Sequence, residues 1–208
     1  MKAGKKTSRG PDNNSSKTHQ NERIKESLSL IKHKFVVMSG KGGVGKTSVS
    51  TNLAVALSRR GKKVGLMDVD LHGPDVPRML GLKGLLDVSA DERIVPKPYS
   101  DSLKVVSMEC LTQHTDEAII WRGPLKFNVI RQFIADAYWG RLDYLIVDSP
   151  PGTGDEPLTV AQTIPDAKAI IVTTPQEVSL GDVRKSIGFC RTLNMEIIGL
   201  IENMSGLV

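Results

Sequence analysis

The chain has 208 residues, 39% hydrophobic, 25% charged and 4% aromatic, a composition that suits one globular domain and excludes a wholly disordered chain. No apolar run approaches the roughly 20 residues of a membrane span, and two cysteines, Cys110 and Cys190, exclude a disulfide-rich secreted scaffold and a four-thiolate metal site within one copy. Of the net charge of +5, residues 1–34 supply +6 through nine basic and three acidic side chains, which leaves −1 for the rest.

The basicity therefore belongs to the N-terminal segment. It reads either as a solvated extension or as a tail that touches RNA, DNA or an acidic partner. Residues 1–20 are polar and lack apolar periodicity, so a disordered basic tail is expected there. The start MKAGKKTSRG has charge but no apolar core behind it, which excludes a secretory signal, and Asp12 and Glu22 fit a mitochondrial presequence poorly. A cytoplasmic protein is the expectation.

Ile24, Leu28 and Ile31 recur at helical spacing, predicting a short amphipathic helix and lead-in over 21–34 that docks on a folded domain of residues 35–208. Apolar runs of strand length then alternate with helical stretches. FVVMS (35–39) precedes a helix over 46–59 with Val49, Leu53, Ala56 and Leu57 on its apolar face. VGLMDVD (64–70), a long connection and LKVVSM (103–108) follow. A helix over 123–138 leads to DYLIVD (143–148), and AKAIIVTT (167–174) leads to a helix over 180–193 and EIIGLIEN (196–203). Runs that are continuous and β-branched rather than alternating are buried on both faces, which predicts an α/β fold: a mostly parallel sheet with helices on both faces.

Between the first strand and the first long helix lies Gly40-Lys41-Gly42-Gly43-Val44-Gly45-Lys46-Thr47, which matches G-x-x-x-x-G-K-[ST]. The glycines let the backbone turn tightly and present N–H groups to phosphates, and the following helix aims its positive end at the same point. Lys46 is placed to reach the β- and γ-phosphates and the Thr47 hydroxyl to ligate Mg²⁺. Lys41 reads either as an exposed loop lysine or as a cation that neutralises phosphate charge on a second subunit's nucleotide. Asp68, Asp70 and Asp148 fall at strand carboxyl ends, where ligands of open α/β sheets bind. Asp148 closes a hydrophobic run in the manner that holds Mg²⁺ through water, and either Asp68 or Asp70 is placed to orient an attacking water.

GKGGVGKT with its extra lysine, DVDLHGPDVP, WRGP (121–124), DSPPGTGDE (148–156), VTTPQEVSLGDVRKS (172–186) and IENMSG (201–206) together resemble the Mrp-type ATPases. These are iron–sulfur cluster carriers within the MinD/ParA and nitrogenase-iron-protein superfamily of P-loop NTPases with a deviant Walker A loop. The resemblance runs from Phe35 to Val208. It implies a slow, ATP-hydrolysing homodimer that takes ATP and Mg²⁺, carries a 4Fe–4S cluster, works with cluster assembly factors and delivers to apo iron–sulfur proteins. No membrane or nucleic-acid partner is expected.

By the same resemblance Lys41 crosses to the partner's phosphates, Asp70 orients the water, Asp148 and PPGTGD form switch II, and Asn203 recognises adenine. Asp75 stands where the family has Ser, which puts an extra carboxylate beside switch I. Family members continue after Asn-Met-Ser into Cys-Pro-x-Cys, so the cluster ligands are expected beyond Val208. Cys190, on a helical face with Leu180, Val183 and Ile187, and Cys110, closing a strand, read as core thiols. A MinD/ParA-like positioning ATPase without a cluster is the alternative, disfavoured by the near-neutral body. An electron-passing reductase is discounted because DSPPGTGDE contains no cysteine.

Overall fold

The computed structural model describes residues 12–70, 73–111 and 123–206. In chain order the elements are α1 (Asp12–Ser29), β1 (Ile31–Ser39), α2 (Lys46–Arg59), β2 (Val64–Asp68), α3 (Val76–Leu80), β3 (Asp87–Val88), β4 (Ile94–Val95), β5 (Lys97–Ser100) and β6 (Leu103–Ser107). A 3₁₀ turn (Met108–Leu111) precedes α4 (Gly123–Asp136), β7 (Leu142–Asp148), α5 (Asp155–Thr163), β8 (Lys168–Thr173), α6 (Glu177–Thr192) and β9 (Ile197–Glu202). Seven strands form one sheet in the order β5-β6-β2-β7-β1-β8-β9. All pairings are parallel except that of β5, which runs antiparallel along β6 at one edge. β3 and β4 form a separate antiparallel pair.

Alternation along the strands divides the interior into two cores. Val36, Met38, Met67, Val106, Leu145 and Val147 meet Ile24 and Leu28 of α1, Ile130, Phe133 and Ile134 of α4, Val160 of α5 and Cys190 of α6. Val37, Leu66, Val105, Ile146, Ile170 and Val172 face the other way, against Ala54 of α2 and Val76 of α3. Every residue of β2 is buried, as the unbroken apolar runs require of a sheet covered on both sides. The expected α/β architecture is the one observed.

Three expectations are corrected. The N-terminal helix starts at Asp12, inside the stretch expected to be disordered, and residues 1–11 lie outside the described ones. Apolar periodicity could not reveal this extension, because its residues are polar, and the helix is tied to the body by polar contacts at its end and just beyond it. Gln20 and Asn21 accept from Arg131 of α4, and Arg23 pairs with Asp136 at 2.9 Å. Ile31 does not continue the helical stripe; it opens β1, which begins four residues before Phe35, yet it joins the same core as Ile24 and Leu28. On α2, Ala56 is exposed, and the fully buried positions are Lys46, Ser50, Thr51 and Ala54. The helix turns a polar stripe inward at its N-terminal end because its buried partner there is a carboxylate.

If α1 is part of the body, Ile24→Ala truncates a side chain that packs in a core shared with α4. It should lower the unfolding free energy by about 2–3 kcal/mol, read as a lower urea midpoint with an unchanged slope.

Candidate active site

The P-loop lies where β1 ends and α2 begins, between the carboxyl ends of β7 and β8. Two of its glycines are required by contact. A Cβ on Gly40 would run into the backbone of Asp182 on α6, and one on Gly45 would collide with the Asn203 amide. Gly45 also adopts φ 84°, a left-handed conformation that penalises any residue with a Cβ. Gly43, at φ 77°, makes the second such turn. No side chain caps α2 and its first turn holds no acid, so its N–H groups and dipole face the cleft.

Asp148, at the end of β7, is fully buried. Its Oδ1 accepts from Lys46 Nζ at 2.8 Å and from Ser50 Oγ at 2.6 Å, and its Oδ2 accepts from Thr47 Oγ1 at 2.8 Å. Lys46 is itself only 6% exposed, so the pair is a buried ion pair rather than a surface one. A hydroxyl and a carboxylate oxygen side by side form a hard donor set of the kind Mg²⁺ takes, with waters and phosphate oxygens completing the shell.

Asp68 is the register partner of Asp148 on β2. It accepts from Ser107 Oγ at 2.9 Å and from the Asp70 N–H at 3.1 Å. Burial first, and then the neighbouring Asp148 charge, hold its carboxyl well above the usual carboxylate range, more than those two hydrogen bonds and Lys46 offset. Asp68 is thus walled in, whereas Asp70 reaches the cleft and accepts the Gly73 N–H at 3.2 Å. Of the two, only Asp70 lines the cleft.

The cleft holds about 670 Å³ and is bordered by Gly42, Gly43, Lys46, Thr47, Asp70 and Asp75, with Arg78, Met79, Pro151 and Met204 closing its rim. Asp75 precedes α3 and lies 3.9 Å from the Arg78 guanidinium, which also donates to Glu109 at 2.9 Å. The turn after β7 is tied to β1: the Ser149 and Gly152 N–H groups donate to Val37 O and Ser39 O. Asn203, just past β9, donates its side-chain amide to Val44 O at 2.9 Å and its backbone N–H to Thr173 O. Lys41 donates to Gln176 Oε1 at 3.0 Å, within the same subunit.

The structure therefore gathers Gly40, Lys41, Gly42, Gly43, Val44, Gly45, Lys46, Thr47, Asp70, Asp148 and Asn203 around one strand edge. Sequence reasoning missed Ser50, Arg78, Gln176 and Met204. Ser50 had a readable signal, lying one helical turn after Lys46 on the same face, and Gln176 and Met204 lie inside motifs quoted above without being singled out. Leu71, His72, Trp121, Arg122, Leu207 and Val208 lie outside the described residues.

Both cysteines are buried. Burial pushes the Cys110 thiol up to about 11, and it raises Cys190 as well. Cys190 contacts Met38 in the core, with Ser179, Val183 and Ser186 on its buried stripe. Leu180, expected on that face, is 43% exposed, and Cys110 lies in the 3₁₀ turn rather than in a strand. Among the described residues no three His, Cys, Asp or Glu side chains cluster as a metal site, and no helix is long and apolar enough to cross a membrane.

A model of the ParA family, described as NUBPL iron-transfer P-loop NTPase, matches residues 30–208. An iron-sulfur cluster carrier protein of Methanocaldococcus jannaschii is 51% identical over 199 residues, covering 95% of this chain and 69% of that protein. A cytosolic Fe-S cluster assembly factor, the Nubp2 homolog of Drosophila sechellia, is 51% identical over 186 residues, covering 87% and 72%. A nucleotide-binding protein of Archaeoglobus fulgidus, solved in complex with ADP, superposes with a TM-score of 0.76 at 41% identity, covering 89% and 72%.

Two outcomes test this geometry. Lys46→Met leaves Asp148 buried without its cation and should cost about 3–5 kcal/mol in nucleotide-free protein. Adding Asp148→Asn should restore most of that loss in a double-mutant cycle by urea unfolding. At pH 7.5 Cys110 should alkylate with iodoacetamide about a hundredfold more slowly in the folded chain than in the unfolded one, since only the thiolate reacts; Cys190 should also be slowed, and mass spectrometry reads both sites.

Proposed function

The chain belongs to the ParA family of P-loop NTPases, in the group described as NUBPL iron-transfer proteins, and from that premise we propose that it is an ATP-hydrolysing carrier that assembles or delivers iron–sulfur clusters to apo-proteins in the cytoplasm. The single observation that carries the nucleotide half of this reading is the P-loop whose Lys46 and Thr47 line the cleft and both meet Asp148. The carrier half rests on the relatives at about half identity, one named a cluster carrier and the other a cytosolic assembly factor. The chain spans roughly two thirds of their length.

ATP is the substrate of the cleft. Its β- and γ-phosphates lie against the Gly42–Gly45 amides and the N-terminus of α2, and Lys46 turns from Asp148 to meet their charge. Thr47 Oγ1 and, through water, Asp148 are the groups that would hold Mg²⁺, which when bound neutralises charge on the phosphates. Asp70 orients a water in line with the bond between the γ-phosphorus and its bridging oxygen. The water's oxygen bonds to the γ-phosphorus as the bond from phosphorus to the bridging oxygen breaks, the water's proton passes to the phosphate, and ADP and inorganic phosphate leave. Asn203, held beside Gly45, borders the base. Lys41 parts from Gln176 and crosses to the nucleotide of a second copy, so that hydrolysis requires a homodimer. Switch II, tied to β1 through Ser149 and Gly152, passes the presence of the γ-phosphate to the rest of the body.

The two buried thiols are unsuited to holding a cluster, and the cluster is the protein's cargo rather than a resident of the described body. Its ligands are the part of this proposal that the chain's own described residues do not supply.

Lys41→Ala should abolish ATP-induced dimers in light scattering and lower turnover by at least about a hundredfold, the scale of a cation supplied in trans; unchanged dimerisation and turnover refute the crossing lysine. Anaerobic loading with iron and sulfide, on protein expressed from its whole gene, should give protein-bound iron and sulfide that transfer to an apo-ferredoxin. Failure to bind iron and sulfide refutes the carrier reading and leaves the nucleotide switch standing.

A further inference from the structure

Three hydrogen-bond donors hold the buried Asp148 carboxylate, and two of them have work elsewhere once nucleotide arrives: Lys46 at the phosphates and Thr47 at the metal. The third is Ser50. It lies one turn beyond Lys46 on α2 and is completely buried. Its hydroxyl stands 2.6 Å from Asp148 Oδ1 and 3.0 Å from the Lys46 carbonyl. With one proton to give, the shorter bond to the charged acceptor takes it, although serine in a helix commonly bonds back to the carbonyl four residues earlier. Ser50 does not line the cleft, whereas Lys46, Thr47 and Ser48 do.

We propose that Ser50 is a positioning residue for the Mg²⁺ site, holding Asp148 Oδ1 in place when Lys46 departs so that Oδ2 stays turned toward Thr47. The inference rests on the reading of the cleft as an ATP site. The geometry divides the carboxylate into two halves. Oδ2 faces the metal side through Thr47, and Oδ1 faces the helix interior, shared between a movable cation and a fixed hydroxyl. The exchange of Lys46 from Asp148 to phosphate would leave Oδ1 without a donor in a buried setting if Ser50 were absent, a cost that a turn of the carboxylate toward a remaining donor would relieve. The remaining donor is Thr47, whose hydroxyl is then drawn away from the metal. Ser50 keeps the nucleotide-bound arrangement of Asp148 the same as the nucleotide-free one.

Ser50→Ala, Ser50→Thr and Ser50→Cys are compared with the wild type by titrating a fluorescent ATP analogue in EDTA and at graded Mg²⁺, with a thermal melt as the control for folding. In EDTA the Ser50→Ala chain should bind the analogue as the wild type does, because Lys46 and the loop amides are intact. The Mg²⁺ concentration for half-maximal tightening should rise about tenfold, the cost of a lost hydrogen bond to a buried charge. Ser50→Thr, which keeps the hydroxyl, should restore the wild-type value, and Ser50→Cys, a weak donor of similar size, should fall between. A wild-type Mg²⁺ dependence in folded Ser50→Ala or Ser50→Cys overturns the proposal, as does a Ser50→Thr chain that behaves like Ser50→Ala. A wild-type chain that binds no analogue at all overturns the nucleotide reading instead, a result distinguishable from the others by the wild type alone.

Discussion

A carboxylate with no exposed surface must be matched by donors or the chain cannot fold around it. Asp148 is that group, and its three partners come from two consecutive turns of one helix. The match fixes the end of β7 against the start of α2 and, through the loop between them, against the end of β1. The same constraint explains the inward polar stripe of α2. Lys46 and Ser50 are buried because Asp148 is there to receive them, while Ala54, two turns along, returns to hydrophobic packing. In nucleotide-free protein the lysine therefore rests on the carboxylate, and the arrival of phosphate is an exchange of one anion for another. Such an exchange costs less than uncovering a charge would.

Around that point the sheet acts as a frame with two differently covered faces. One face carries α1, α4, α5 and α6, and the other carries α2 and α3. The cleft opens at the carboxyl edge, where β1 sits between β7 and β8, and each strand that reaches this edge delivers a polar group: Asp68, Asp148, Thr173 and Asn203. The two sulfurs are spent inside the frame, one against Met38 and one in the turn after β6, with their protons held by burial. A body built this way suits the nucleotide-switch role proposed for it, and it leaves neither thiol at the cleft.

Much of this was legible in the chain. The loop spacing, the helix over 46–59 and the hydrophobic runs ending in aspartate are local signals, and the structure reproduces α2 to the residue. Other features were illegible for identifiable reasons. The polar half of α1 has no apolar period, and only the distant Arg131 and Asp136 show why it is helical. The inner stripe of α6 runs through Ser179 and Ser186 in place of Leu180, because a close approach to the loop at Gly40 and Asp182 favours small residues there. Asp68 and Asp70 are equivalent as sequence, two positions apart in a strand end.

The fold class, the phosphate-binding loop and the set of residues able to do the chemistry are already written in the order of the amino acids, because periodicity and motif spacing are local properties that propagate along the chain. Folding in three dimensions was needed to show which aspartate reaches the cleft, that Ser50 shares Asp148 with Lys46, and that Lys41 rests on Gln176. Those facts depend on pairings between residues about 40 to 135 positions apart, and such pairings come into being when burial forces each polar group to find its partner.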